Sequence, residues 1–196
     1  MNKIFEHFKL ITKHRWYVFK HCCKAHLFRQ GMMHDLSKYS PTEFFESVKY
    51  YNGKHSPIDE CKSVKGYSLA WLHHKGKNKH HYEYWQDNFD NGGTPLQMPY
   101  KYALELICDY LGAGQAYSKS KANNKFYVNE YEWWVNKSTK PLAFHPQTKN
   151  FVSTMLRTMA KEGSNDCLRP FRSKYIYYNL CLREYEAQKR DFKKVI

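Results

Sequence analysis

Apolar residues in this chain recur at helical spacing almost throughout and hold strand alternation for no more than a few residues at a time. From Ile4 to about Phe28, the positions Ile4, Phe8, Ile11, Trp16, Phe19 and Cys23 keep a repeat of about 3.6 residues, which a helix gathers into one stripe. His14 and His21 share one face of that segment, being seven residues apart. Gly31 marks a break, and a short helix carrying His34 and Asp35 is expected after it. Ser40-Pro41-Thr42-Glu43 reads as a helix start, with Ser at the cap, Pro in the first position and Glu three residues past the cap. That helix should run to about Tyr51, followed by loop through Asn52-Gly53 and Ser56-Pro57.

Further helices are predicted over Gly66 to His74, His81 to Asn88, and Pro99 to about Tyr117, where Tyr102, Leu104, Leu106, Ile107 and Leu111 imply extensive burial. Asn91 to Pro95 reads as a turn, and Ser118 to Asn129 as a polar loop. Helices are again expected at Glu130–Asn136, Pro146–Glu162 and roughly Asp166–Asp191. The fold class is all-α, without internal repeats.

At 196 residues the chain is long enough to bury a real core as a single domain. No apolar run approaches the roughly 20 residues that span a bilayer, and the first residues lack the pattern of a signal peptide. A cytoplasmic protein with no membrane partner is expected. Its six cysteines include no Cys-x-x-Cys pair and are read as reduced, structural thiols. Thirty-two Lys and Arg against eighteen Asp and Glu leave a formal charge of +14, which favours anionic partners without choosing between a small phosphorylated molecule and a nucleic acid. Gly112-Ala113-Gly114 and Gly92-Gly93 lack the strand-to-helix context of a phosphate loop.

The chemistry concentrates in an ordered series. His21 comes first, then the run Gly31-Met-Met-His34-Asp35-Leu-Ser-Lys38, the doublets His73-His74 and His80-His81, and Asp109 inside an apolar helix. Imidazole and carboxylate together suit divalent transition metals. Asp109 is costly to bury unless a metal, a cation or hydrogen bonds compensate it. The clusters Tyr82-Glu-Tyr84-Trp85 and Tyr131-Glu-Trp133-Trp134 are read first as core anchors, although aromatic faces also stack on bases. The basic, aromatic tail from Leu168 to Ile196 is read as an amphipathic helix packed on the same domain.

The series His21, His34-Asp35 and Asp109 resembles the H…HD…D pattern of the HD superfamily of metal-dependent phosphohydrolases, and Lys38 matches its HD-x-x-K extension. From about Trp16 to Tyr117 the chain also resembles an uncharacterised bacterial and phage-associated family with an HDLSKYSPTEF core. The superfamily resemblance implies a compact helical bundle over residues 1–163, with residues 164–196 as a helical extension on it. It also implies one or two divalent ions (Mn, Fe, Zn, Ni or Co) held by His21, His34, Asp35, His74, His80 and Asp109. His14 remains an alternative first ligand, and the choice among His73, His74, His80 and His81 stays open.

The implied activity is hydrolysis of a nucleotide or related phosphoester by a metal-activated water. Asp35, Lys38 and His81 would take catalytic roles, with Lys38, His73, Lys75 and His81 meeting substrate. A di-iron oxygenase of the same superfamily, or a non-catalytic basic module binding nucleic acid or protein around a structural metal, are the competing readings.

Overall fold

The computed structural model describes residues 2–118 and 122–181, together with Arg183 and Glu186. Nine α-helices account for most of these residues: α1 Lys3–Lys24, α2 Phe28–Met33, α3 Pro41–Tyr50, α4 Pro57–Lys65, α5 Leu69–Lys77, α6 Tyr100–Ser118, α7 Asn124–Ser138, α8 Pro146–Glu162 and α9 Pro170–Tyr175. A 3-10 turn, Leu36–Tyr39, joins α2 to α3, and a π-helical stretch, Ile176–Cys181, continues α9. The expected all-α class holds. The exception is a two-stranded antiparallel ribbon pairing Gln86 with Pro95 and Asp87 with Thr94, where a short helix and a turn were expected. No helix among the described residues is long and apolar enough to cross a membrane.

Helix α6 forms the axis of the core because twelve of its nineteen residues are buried, Leu104, Ile107 and Leu111 among them. Helix α1 lies along it. Gly112 permits this approach, since a Cβ there would stand 2.3 Å from Val18 Cγ2 and 2.9 Å from the Val18 backbone nitrogen. On the other side α8 inserts Phe151, Val152, Met155 and Met159, and α7 adds Phe126 and Trp134. Trp134 is fully buried and donates from its indole N–H to Ser153 Oγ at 2.8 Å, which meets the polar demand of a buried tryptophan. Tyr82 stacks on Phe144 in the same core. Cys22, Cys23, Cys61, Cys108 and Cys167 are free thiols.

Several sequence expectations are corrected. Of the apolar stripe assigned to α1 only Ile11 is buried: Ile4, Phe8 and Trp16 are exposed, Phe19 and Cys23 are half-buried, and His7, His14, Val18, His21 and Cys22 join Ile11 in facing the core. The chain breaks at Ala25–Leu27, with His26 at positive φ, and not at Gly31. Gly31 lies buried in α2, where a Cβ would meet Cys22 Cβ at 2.7 Å. Helix α4 begins at Pro57, where loop is expected: Ser56-Pro57 repeats the Ser-Pro start of α3 and acidic Asp59 and Glu60 occupy its first turn. Helix α7 begins at Asn124, inside the expected polar loop, because Asn123 caps it by accepting from the Phe126 N–H. The helix expected over Asp166–Asp191 is divided into a 3-10 turn, α9 and the π stretch as far as Cys181, and most of its later part lies outside the described residues.

Candidate metal centre

His34 and Asp35 occupy a bend and not a helix. The chain leaves α2 at His34, with φ −53° and ψ 126°, and turns left-handed at Asp35, with φ 54° and ψ 25°. Aspartate tolerates this conformation better than most residues, at a cost of roughly 1–3 kcal/mol for strained backbone. The bend lets two adjacent side chains share one site, which a continuous helix would prevent. Arg15 braces it by donating from Nε to the His34 carbonyl at 2.7 Å and from Nη2 to the Met32 carbonyl at 2.9 Å.

Asp35 lies at the centre, fully enclosed. Its Oδ2 is 3.3 Å from both His14 Nε2 and His34 Nε2, and these two nitrogens lie 3.2 and 3.4 Å from Asp109 Oδ1. Its Oδ1 turns to the other side, 3.2 Å from His74 Nε2 and 3.4 Å from His80 Nε2. Two groups of donors result. In one, His14, His34, Asp35 and Asp109 bring their ligand atoms within 4.8 Å of one another, and in the other Asp35, His74, His80 and His81 do the same. Asp35 belongs to both.

Two carboxylates stand behind the imidazoles. His34 Nδ1–H donates to Glu105 Oε1 at 3.1 Å, and His80 Nδ1 lies 3.2 Å from the same oxygen. His73 and His74 donate through Nδ1 to the two oxygens of Glu43, each at 2.7 Å. With Nδ1 turned to these carboxylates, Nε2 of His34, His74 and His80 faces Asp35 and would offer its lone pair to a cation that displaces the proton. Backing of this kind orients metal-binding histidines and raises their basicity.

The Nε2 atoms of His34, His80 and His81 and the Oδ1 of Asp35 are buried without a hydrogen-bond partner. Several orphaned polar atoms converging in one place are costly unless a further group satisfies them. A divalent cation fits that requirement, because imidazole nitrogen and carboxylate oxygen are its ordinary donors. The two groups could therefore hold a metal ion.

The electrostatics match. Burial opposes ionisation of Asp35, yet His34, Lys38 and His74 hold its carboxyl well below the usual range. Asp109 is likewise held low against burial by His14 and His34. Burial would lower His34, but Asp35, Asp109 and Glu105 push it well above its ordinary value, and Asp35 with Glu43 raises His74 against burial. Burial, then His80 and His74, drive His81 well below, so it stays neutral with a free lone pair. Lys38 Nζ rests 2.7 Å from Asp35 Oδ2, and Asp35 and Asp109 keep it protonated against burial.

Of the expected residues, His34, Asp35, His74, His80 and Asp109 gather with Lys38. His81, expected beside substrate, joins the donor atoms. His73 stays at the rim, about a third exposed, bound to Glu43. Lys75 enters none of these groups. His14, the alternative first member of the series, joins the cluster and His21 does not: Asn165 Nδ2 donates to His21 Nδ1 at 2.9 Å and His21 Nε2–H donates to Gln115 Oε1 at 2.8 Å, which occupies both ring nitrogens.

Glu43 and Glu105 enter the site from outside the expected series. Glu43 resembled half of a capping box, but Ser40 makes no side-chain cap and Glu43 serves the histidines instead. Glu105 carried a readable signal: it stands four residues before Asp109 in an apolar helix, hence on the same face.

No curated protein and no solved structure matches the chain. A family model described as "Family of unknown function (DUF5662)" matches residues 3–158, a span that includes every residue of the cluster, and the chain belongs to that family.

Proposed function

We propose that this protein is a metal-dependent phosphohydrolase acting on a nucleotide or related phosphoester. The observation that carries the reading is the division of Asp35 between two donor sets, Oδ2 beside His14 and His34, which also reach Asp109, and Oδ1 beside His74 and His80, which group with His81. One carboxylate shared by two imidazole-rich groups is suited to two neighbouring divalent ions. The H…HD…D resemblance supports the same reading, with His14 as its first member.

Bound divalent ions would supply a water acidified toward neutral pH and Lewis acidity for a phosphoryl oxygen. The protein's own residues prepare for both. Glu105 and Glu43 hold the imidazole planes so that Nε2 faces inward. Lys38 keeps an ammonium group beside Asp35, a quarter exposed, where an arriving phosphoryl oxygen would gain a charged donor. The excess of basic residues over the whole chain favours an anionic substrate. His81 keeps its lone pair because its cationic form is suppressed.

Elemental mass spectrometry of wild type and of Asp35→Ala and Asp109→Ala, paired with a phosphoester panel assayed with and without chelator, tests the proposal. Near-stoichiometric metal lost in both variants, with turnover that needs that metal, is the expected result. Full turnover in folded Asp35→Ala would remove the pair from the mechanism. Iron with oxygen consumption and no phosphate release would transfer the site to oxygen chemistry.

A further inference from the structure

The outward side of α1 is a second surface that the metal centre does not use. An amphipathic helix on a soluble core ordinarily turns polar residues to solvent. Here Phe5 is 61 % exposed, Phe8 47 % and Trp16 58 %. Together with Lys9, Thr12 and Lys13 they line an open groove of about 430 Å³. Phe8 packs on Tyr39, and Thr12 Oγ1 lies 2.9 Å from the Tyr39 hydroxyl, so the 3-10 turn that follows Asp35 supports one wall.

The charge on this helix is one-sided. Lys3, Lys9, Lys13, Arg15, Lys20 and Lys24 face a single acid, Glu6. The lysines lie beside the rings: Lys20 Nζ is 4.6 Å from the centre of Tyr17 and 5.8 Å from that of Trp16, and Lys13 Nζ is 5.6 Å from that of Tyr17. Exposed apolar patches of this kind mark interaction sites. A second copy of the chain would bring like charges together, which disfavours pairing. A lipid surface is less well matched, because Lys9 and Lys13 line the groove among the rings, whereas an interfacial helix keeps its cations on the face opposite its apolar residues.

We propose that this face docks single-stranded nucleic acid. Phe5, Phe8 and Trp16 stack on bases along the strand, and Lys9, Lys13 and Lys20 meet the phosphates. Phe5 and Trp16 are separated by about 16 Å along the helix axis, enough for a strand to lie along the groove. Flat rings among cations are what sequence-tolerant single-strand binding uses. The proposal does not depend on the hydrolase reading.

Fluorescence anisotropy of the full-length protein with a fluorescein-labelled oligodeoxythymidylate, in the presence of chelator, tests it. Trp16→Ala should weaken binding about 5- to 100-fold, the range of one lost stacking contact. Lys9→Gln and Lys20→Gln should each reduce the slope of log affinity against log salt by about 0.7. Phe5→Ala, at the other end of the groove, repeats the stacking test if Trp16→Ala melts below wild type. No binding at low salt, or equal binding by wild type and both aromatic variants, would overturn the proposal. So would preferential retention on phosphatidylglycerol vesicles, or a dimer abolished by Trp16→Ala without oligonucleotide binding.

Discussion

His14 Nε2 on α1 stands 3.2 Å from Asp109 Oδ1 on α6. The contact requires close-packed helices, and Gly112, one turn beyond Asp109, provides the space. Gly112→Ala would force a methyl group against Val18 at 2.3 Å. Overpacking of this kind costs about 1–3 kcal/mol. A lowered melting temperature together with weaker metal retention is expected, measured by thermal melts and elemental analysis of one preparation.

His14 and His21 should separate cleanly in metal content. His14→Ala removes a donor from one group and is expected to lose metal. His21→Ala removes the partner of Gln115 Oε1 and of Asn165 Nδ2 and should lower stability by about 1–3 kcal/mol while metal content holds. Elemental mass spectrometry of the two variants, with denaturant melts, checks both halves. Metal loss in His21→Ala alone would reverse the assignment.

Glu105→Gln keeps the size of the side chain but removes the charge behind His34 and His80. Loss of a carboxylate partner in this position costs about 10- to 100-fold in metal affinity. Competition against a chromophoric chelator measures it directly. An unchanged affinity would show that Glu105 serves only the apo fold.

Metal affinity should rise with pH. The carboxylates around His34 and His74 hold both imidazoles above the ordinary value, so protons occupy these groups in the metal-free protein. A cation must displace them, and affinity therefore climbs with pH and levels off once pH exceeds the raised values. Proton release on zinc addition in weak buffer should shrink over the same interval.

His21 gives a dependence of the same sign, in stability, from a lowered pKa. Burial, together with Lys20 and Lys24, outweighs the Gln115 hydrogen bond and lowers its pKa from 6.5 to about 4. The unfolded chain binds the proton more tightly, so this contribution is complete above about pH 6.5. It declines as pH falls toward 4, by at most roughly 3 kcal/mol. The stability curve of metal-free His21→Gln should be flatter than that of wild type across that window, as read by urea melts.

The sequence by itself determined the helical class, because local apolar spacing and the Ser-Pro starts act within one segment. Helices α3, α6 and α8 emerge close to their observed bounds for that reason. It also identified His34-Asp35, the histidine doublets and Asp109, since a carboxylate in an apolar run demands a partner wherever the helix packs. The aromatic stripe of α1 misled because periodicity reports that a face exists and not which face is buried; three histidines and Val18 took the inner side. Tertiary structure alone decided between His14 and His21, which share a helix face but lie about 10 Å apart along it, so that only the level at which α6 crosses brings one to Asp109. It also decided the roles of Glu43 and Glu105, whose local signals suit a helix cap or a solvated acid equally well. A side chain's partner across the core depends on how helices pack, and no local pattern encodes that distance.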